Sequence, residues 1–118
     1  MKLKKLLTIT ILTTSVLFAQ SSEIVWLKEA DKRINWEDAM QYCKDRNAIL
    51  PSRAVFKKVW LDHNKSSEID GFDLSVSFWT SDEVKDNKYA AYPFYFGEGR
   101  DTWYYKADHY GVRCIKQK

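Results

Sequence analysis

The chain has 118 residues, 19 of them Lys or Arg and 16 Asp or Glu, with 45% hydrophobic and 15% aromatic residues, which is room for one domain and too many rings for a disordered segment. Lys2, Lys4 and Lys5 lie in an N-terminal stretch of export character, so the remainder is charge-balanced at 16 acidic residues against an equal number of basic ones. A balanced chain without a basic tail or stripe excludes the simplest nucleic-acid reading, which needs an uncompensated basic face.

The three lysines precede an apolar run from Leu6 to Phe18, then Ala19 and the polar Gln20-Ser21-Ser22-Glu23. This is the pattern of a secretory signal over residues 1–19, with cleavage expected after Ala19 and residues 20–118 left as a single domain. Leu17, at the place three residues before the cut where a small side chain is preferred, leaves open cleavage at a neighbouring residue or retention as an anchor. At about 13 residues the run is short for a bilayer, which takes roughly 20 helical residues, so no membrane span is expected in the mature chain. Export predicts a periplasmic, extracellular or cell-surface location. In such an oxidising compartment Cys43 and Cys114, the two cysteines of the chain, have each other as intramolecular partners and are expected to form one disulfide.

Ile24-Val25-Trp26-Leu27 has strand character, and Lys28 to Arg33 reads as a charged connection. Asn35 has the chemistry of a helix N-cap, with Glu37 and Asp38 in the first turn, where carboxylates favour the positive end of the helix dipole. Trp36, Ala39, Met40 and Cys43 follow at helical spacing as one expected buried stripe. A second helix is expected after Pro51, capped by Ser52, with Phe56, Val59 and Trp60 on one face and Lys57 and Lys58 outward, fading into the polar Asp62 to Asp73 segment. Beyond Gly71 strands take over: Ser75 to Thr80, Tyr89 to Phe96, a turn at Gly97-Glu98-Gly99, Thr102 to Tyr105, and a last segment in which Tyr110, Val112 and Cys114 share a face. One strand, two helices and a run of antiparallel strands predict an α+β domain, its first helix tied by the disulfide to its last strand.

Trp36, Ala39, Tyr42 and Cys43 on the first helix, Leu50-Pro51-Ser52 opening the second, Phe78-Trp79-Thr80-Ser81 with Glu83, and Val112-Arg113-Cys114-Ile115-Lys116 at the end together resemble the Lcl C-terminal family. This is a bacterial domain first named from a collagen-like adhesin, and the resemblance covers residues 36 to 116. It implies a C-type-lectin-like fold and an exported binding module; the named adhesin recognises glycosaminoglycans. The family's glycine and tryptophan before the leucine-proline turn are replaced here by Asn47-Ala48-Ile49. The Glu-Pro-Asn, Gln-Pro-Asp and Trp-Asn-Asp triplets with which sugar-binding C-type lectins hold calcium do not occur, and Trp79-Thr80-Ser81-Asp82 lacks the asparagine. The resemblance therefore does not carry calcium-dependent sugar binding with it. Nor does the chain match the catalytic cysteine pair of the formylglycine-generating enzymes that share the fold.

Asp62, Asn64, Ser66 and Asp73 have the spacing of a calcium loop, but Ser67 stands where the turn needs glycine, so these residues read as a solvated loop and no metal or cofactor is expected. His63 and His109 have no nucleophile or carboxylate partner in sequence, and no paired carboxylates or ligand cluster appears, so no enzyme is expected. A sulfated glycan would need a basic cluster, for which Arg53, Lys57, Lys58 and Lys65 are the candidates. Trp36, Trp79 and Arg113 read as structural, with Arg113 placed to pair with an acidic group at the core rim. The aromatic series Tyr89, Tyr92, Phe94, Tyr95, Phe96, Trp103, Tyr104 and Tyr105 must give one strand face to the core. The other face is either covered by loops or exposed as a surface on which sugar rings stack. For the second case the candidate ligand-binding residues are Tyr95, Glu98, Arg100, Asp101, Trp103 and Tyr104. The function predicted is a non-catalytic exported module that binds a glycan or an envelope or host protein, with a periplasmic accessory role through protein contacts as the alternative.

Overall fold

The structure is a computed structural model that describes residues 24–62 and 75–117; the expected signal, most of the Asp62 to Asp73 loop, His63 and Lys65 lie outside the described residues. The elements in chain order are β1 (Ile24–Trp26), α1 (Trp36–Lys44), α2 (Arg53–Asp62), β2 (Ser77–Val84), β3 (Asn87–Tyr95), β4 (Arg100–Asp101), β5 (Tyr104–Tyr105) and β6 (Ile115–Gln117). In the larger sheet β2 pairs with β3, and β3 takes both β4 and β5 on its other edge; β1 and β6 form a separate two-stranded sheet. All of these pairs are antiparallel. The expected α+β architecture is present.

Both helices start where the sequence places them. The Asn35 side chain accepts from the Asp38 backbone N–H at 2.8 Å, and the Ser52 hydroxyl accepts from that of Val55 at 3.2 Å, each satisfying a donor that has no intrahelical partner. After α1 the chain turns at Asn47, which takes φ 55°. Asparagine tolerates this left-handed conformation better than most residues, and it lets the Ala48 N–H reach the Cys43 carbonyl at 2.9 Å. Trp36, Ala39 and Cys43 are buried as the stripe predicts. Met40 is not: it is 37% exposed, because the buried arc of this short helix is narrow and Tyr42, on its other flank, packs against the core instead.

Two apolar clusters lie on the two faces of β2. Trp79 belongs to the first, with Trp36, Ala39, Cys43, Leu50, Ala91, Val112 and Cys114. Phe78 belongs to the second, with Phe56 from α2 and Phe94 and Phe96. Both residues are fully buried, so this strand, with successive side chains on opposite faces, is covered on both sides. The segment before β6 threads alongside: Trp79 N–H donates to Gly111 O at 2.9 Å and Gly111 N–H to Ser77 O at 2.9 Å. Phe78 and Gly111 form a parallel bridge, outside the antiparallel run expected from the sequence. Tyr110, Val112 and Cys114 do share a cluster.

Cys43 of α1 is joined to Cys114, immediately before β6, with Cα atoms 5.4 Å apart and a sequence separation of 71. The expected turn lies between β3 and β4, where Tyr95 faces Arg100. Gly99 there has φ +67°, and a side chain on it would collide with the Trp60 indole. That indole donates to Phe96 O at 3.1 Å, so glycine at 99 is what lets α2 close onto the turn.

Replacing Cys43 and Cys114 together by serine is expected to lower unfolding free energy by up to about 4 kcal/mol, read as a shift in urea midpoint that reduction of the unsubstituted protein reproduces. Gly99→Ala is expected to cost about 1 to 3 kcal/mol for the left-handed backbone alone and to redshift tryptophan fluorescence as Trp60 is pushed out.

Candidate ligand-binding surface

The residues that the sequence singles out fall into two groups. Tyr95, Arg100 and Tyr104 meet around a small depression of about 70 Å³ that Ser77, Pro93 and Thr102 complete. Asp101 is drawn away: its carboxylate accepts from Arg53 Nε at 2.6 Å, and the same guanidinium lies 3.7 Å above the Tyr92 ring. That bond raises the Arg53 pKa above its ordinary value, against the opposing effect of partial burial. Glu98 and Arg100 pair with each other at 3.1 Å on the open surface. Trp103 sits apart from the depression, edge-on to Tyr105 with centroids 5.5 Å apart.

The other basic candidates are also engaged. Lys57 donates to Gly99 O at 3.2 Å and Lys58 to Asp62 at 3.2 Å, and Arg53 N–H donates to Asp82 at 2.7 Å. Of the basic candidates, Arg53 and Lys58 are thus paired with carboxylates and Lys57 with a backbone carbonyl. Arg113 is buried, donates to Leu27 O at 2.7 Å, and has its pKa lowered by burial, with Glu29 opposing that shift. Trp36 and Trp79 are structural as expected: their indole N–H groups donate to Thr80 O and Ile34 O, each at 2.8 Å. His109 is exposed. Among the described residues no three His, Cys, Asp or Glu side chains are grouped to hold a metal ion, and no helix is long and apolar enough to cross a membrane.

The aromatic series divides sharply. Phe94 and Phe96 are fully buried, whereas Tyr89 is 66% exposed, Tyr105 57%, and Trp103 and Tyr104 43% each. Tyr104 leans on Tyr110 with centroids 5.5 Å apart, and Tyr110 in turn stands edge-on to Trp79. That packing carries burial to the Tyr110 hydroxyl and raises its pKa.

A larger concavity lies where sequence reasoning did not look. It is a cleft of about 970 Å³ between the start of α1, the start of β3 and the turn after β5, lined among others by Glu37, Asp38, Asn87, Tyr89, Tyr105 and Lys106. Lys106 joins its walls. Its N–H donates to Tyr89 O at 2.8 Å, and its carbonyl accepts from Trp36 N–H at 2.9 Å. Its ammonium donates to Glu83 at 2.6 Å and lies 4.4 Å from the Trp36 ring centroid. Ala90 faces Tyr105 across the β3–β5 ladder, which brings the start of β3 to the turn after β5.

No family model matches the chain, and no curated protein matches it. Among solved structures, TC14, a C-type lectin from the tunicate Polyandrocarpa misakiensis, superposes with a TM-score of 0.57 at 14% sequence identity, covering 81% of this chain and 99% of that one. At that identity the likeness shows the fold. The chain has a C-type-lectin-like fold, with two helices, antiparallel sheets and the Cys43–Cys114 disulfide.

Alanine at Tyr89, Trp103 or Tyr105 is expected to change unfolding free energy by no more than about 0.5 to 1 kcal/mol, whereas Phe78→Ala should cost about 3 to 5 kcal/mol. Chemical denaturation of the four variants checks this contrast, and a large loss at the three exposed rings would assign them to the core.

Proposed function

We propose that the chain is an exported, non-catalytic recognition domain that binds a glycan through exposed aromatic side chains, a module of the kind the Lcl C-terminal resemblance implies. The observation that carries this reading is the exposure of Tyr89, Trp103, Tyr104 and Tyr105 on a domain whose two cores take up Trp36, Trp79, Phe56, Phe78, Phe94 and Phe96. Exposed rings with polar neighbours are the combination on which sugars stack while their hydroxyls are hydrogen-bonded. The C-type-lectin-like fold, shared with the tunicate C-type lectin TC14, supports a binding role, although fold by itself does not choose the ligand. Of the residues singled out from sequence, Trp103, Tyr104 and Tyr95 belong to this surface as ring donors, with Glu98, Arg100 and Asp101 at its edge. Residues 1–19 are assigned as the export signal, which fits a domain closed by a disulfide.

A second reading, an accessory protein acting through protein contacts, draws on Met40 and Ile49. They are 37% and 64% exposed and line one shallow groove beside α1.

A glycan array probed with oxidised residues 20–118, once with calcium and once with chelator, tests the first reading. Reproducible binding that chelation leaves unchanged is the expected result. A blank in both conditions, with the protein recovered bound to an envelope protein, would replace it by the second. Expression of the whole chain in a bacterial host, followed by intact mass measurement of the exported product, is expected to give a chain beginning at Gln20 and lighter by two hydrogens for the disulfide.

A further inference from the structure

Lys106 ties its cleft together and at the same time takes itself out of ligand binding, because its ammonium is held by Glu83 and the Trp36 ring and its side chain is only 12% exposed. The charge left at the opening comes from Glu37 and Asp38 on the first turn of α1, against Lys88, whose ammonium lies 5.2 Å from the Tyr89 ring centroid. Asp38 is partly occupied by the Asn35 amide at 3.1 Å. The Asn87 side-chain oxygen accepts from Tyr89 N–H at 3.1 Å, which orients its amide nitrogen as a donor. The cleft therefore offers two exposed phenol rings, a carboxylate acceptor at Glu37 and an amide donor at Asn87, with an anionic rim. At about 970 Å³ it lies at the upper end of the size of small-molecule sites, roughly 300 to 1,000 Å³, which is room for a short run of sugars.

We propose that this cleft is the binding site for an uncharged hexopyranose chain, held by stacking on Tyr89 and Tyr105 and by hydroxyl hydrogen bonds to Glu37 and Asn87, without a bridging metal ion. This rests on the glycan reading above and narrows it. Vicinal hydroxyls supply two donors to one carboxylate, an arrangement that gains from the ionised acceptor. Sulfate or uronate groups meet Glu37 and Asp38 as like charges, and of the two basic side chains in the lining Lys106 is already held by Glu83, which leaves Lys88 alone to compensate. The site is assembled from α1, β3 and the turn after β5, and it is distinct from the Tyr95, Arg100 and Tyr104 depression.

The test is titration calorimetry of oxidised residues 20–118 with neutral hexasaccharides of glucose, mannose and N-acetylglucosamine and with a heparin hexasaccharide, each in chelator. Four proteins are compared: the unsubstituted chain, Tyr89→Ala/Tyr105→Ala, Glu37→Ala and, to weigh the neighbouring depression against the cleft, Arg100→Ala/Tyr104→Ala. At least one neutral oligosaccharide is expected to bind, with Kd raised about tenfold or more by the tyrosine pair, several-fold by Glu37→Ala, and less by the depression variant than by either cleft variant. Heparin is expected not to bind. Glu37→Ala, at an exposed position, keeps the test open should the double variant fold poorly. Neutral binding that survives the tyrosine pair and Glu37→Ala but falls in the depression variant would overturn the cleft while leaving the glycan reading standing. Binding of heparin in place of neutral chains would overturn the ligand class, and a blank with every sugar would overturn the glycan reading and this proposal together.

Discussion

Phe78 and Trp79 are neighbours on β2, point to opposite faces, and are both removed entirely from water. A strand with large rings on both faces has to be covered on both sides, and the rest of the domain follows from that requirement. On the Phe78 side α2 delivers Phe56, which stacks on Phe94 at 5.8 Å and meets Phe96 edge-on at 5.5 Å. On the Trp79 side α1 delivers Trp36, Ala39 and Cys43. Burying two indoles leaves two N–H donors to satisfy, and the exchange of bonds between Trp36 and Thr80 and between Trp79 and Ile34 does this while pinning α1 to β2. Among the described residues no buried side-chain polar atom is left without a partner.

The same constraint explains the chain's close. A side chain on Gly111 would press on the Phe78 ring at 3.0 Å, and its absence lets the last segment lie close enough to β2 to exchange backbone hydrogen bonds with Ser77 and Trp79. Once there, Val112 and Cys114 complete the Trp79 cluster, and Cys114 is within bonding reach of Cys43 on α1. The disulfide thus closes a layer that packing has already placed. Its entropic effect is largest in the unfolded chain, which it holds into a long loop.

Much of this frame was legible because it is local. Asn35 before a run of helical period, Ser52 after Pro51, and a glycine pair after an aromatic strand each carry their conformation within a few residues. Met40 was misjudged because periodicity gives the centre of a buried arc and not its width, which the neighbouring sheet decides. The ligand surface was less legible for a different reason. From Tyr89 to Phe96 nearly every residue is aromatic or small, so alternation cannot say which rings face the core. The fold buries Phe94 and Phe96 and leaves Tyr89 exposed. Asp101 looked available beside the turn, and its bond to Arg53, 48 positions away, is a tertiary fact. The cleft itself joins α1 to two places on the larger sheet, and no window along the sequence contains all three.

What makes that cleft suited to recognition is that its walls are already joined. The Lys106 backbone bonds both to Tyr89 on β3 and to Trp36 at the start of α1, and its side chain adds Glu83 of β2. Three elements therefore meet at one residue whose own charge is neutralised, and none of them has to move to form the site. A sugar that binds such a preformed surface gives up its own freedom but does not have to order the protein, which lowers the entropic cost that limits most weak glycan contacts. The exposed rings Tyr89, Trp103, Tyr104 and Tyr105 lie outside both apolar clusters. The cores on either side of β2 supply the stability, and that leaves the β3–β5 edge free to hold an open aromatic surface at fixed geometry.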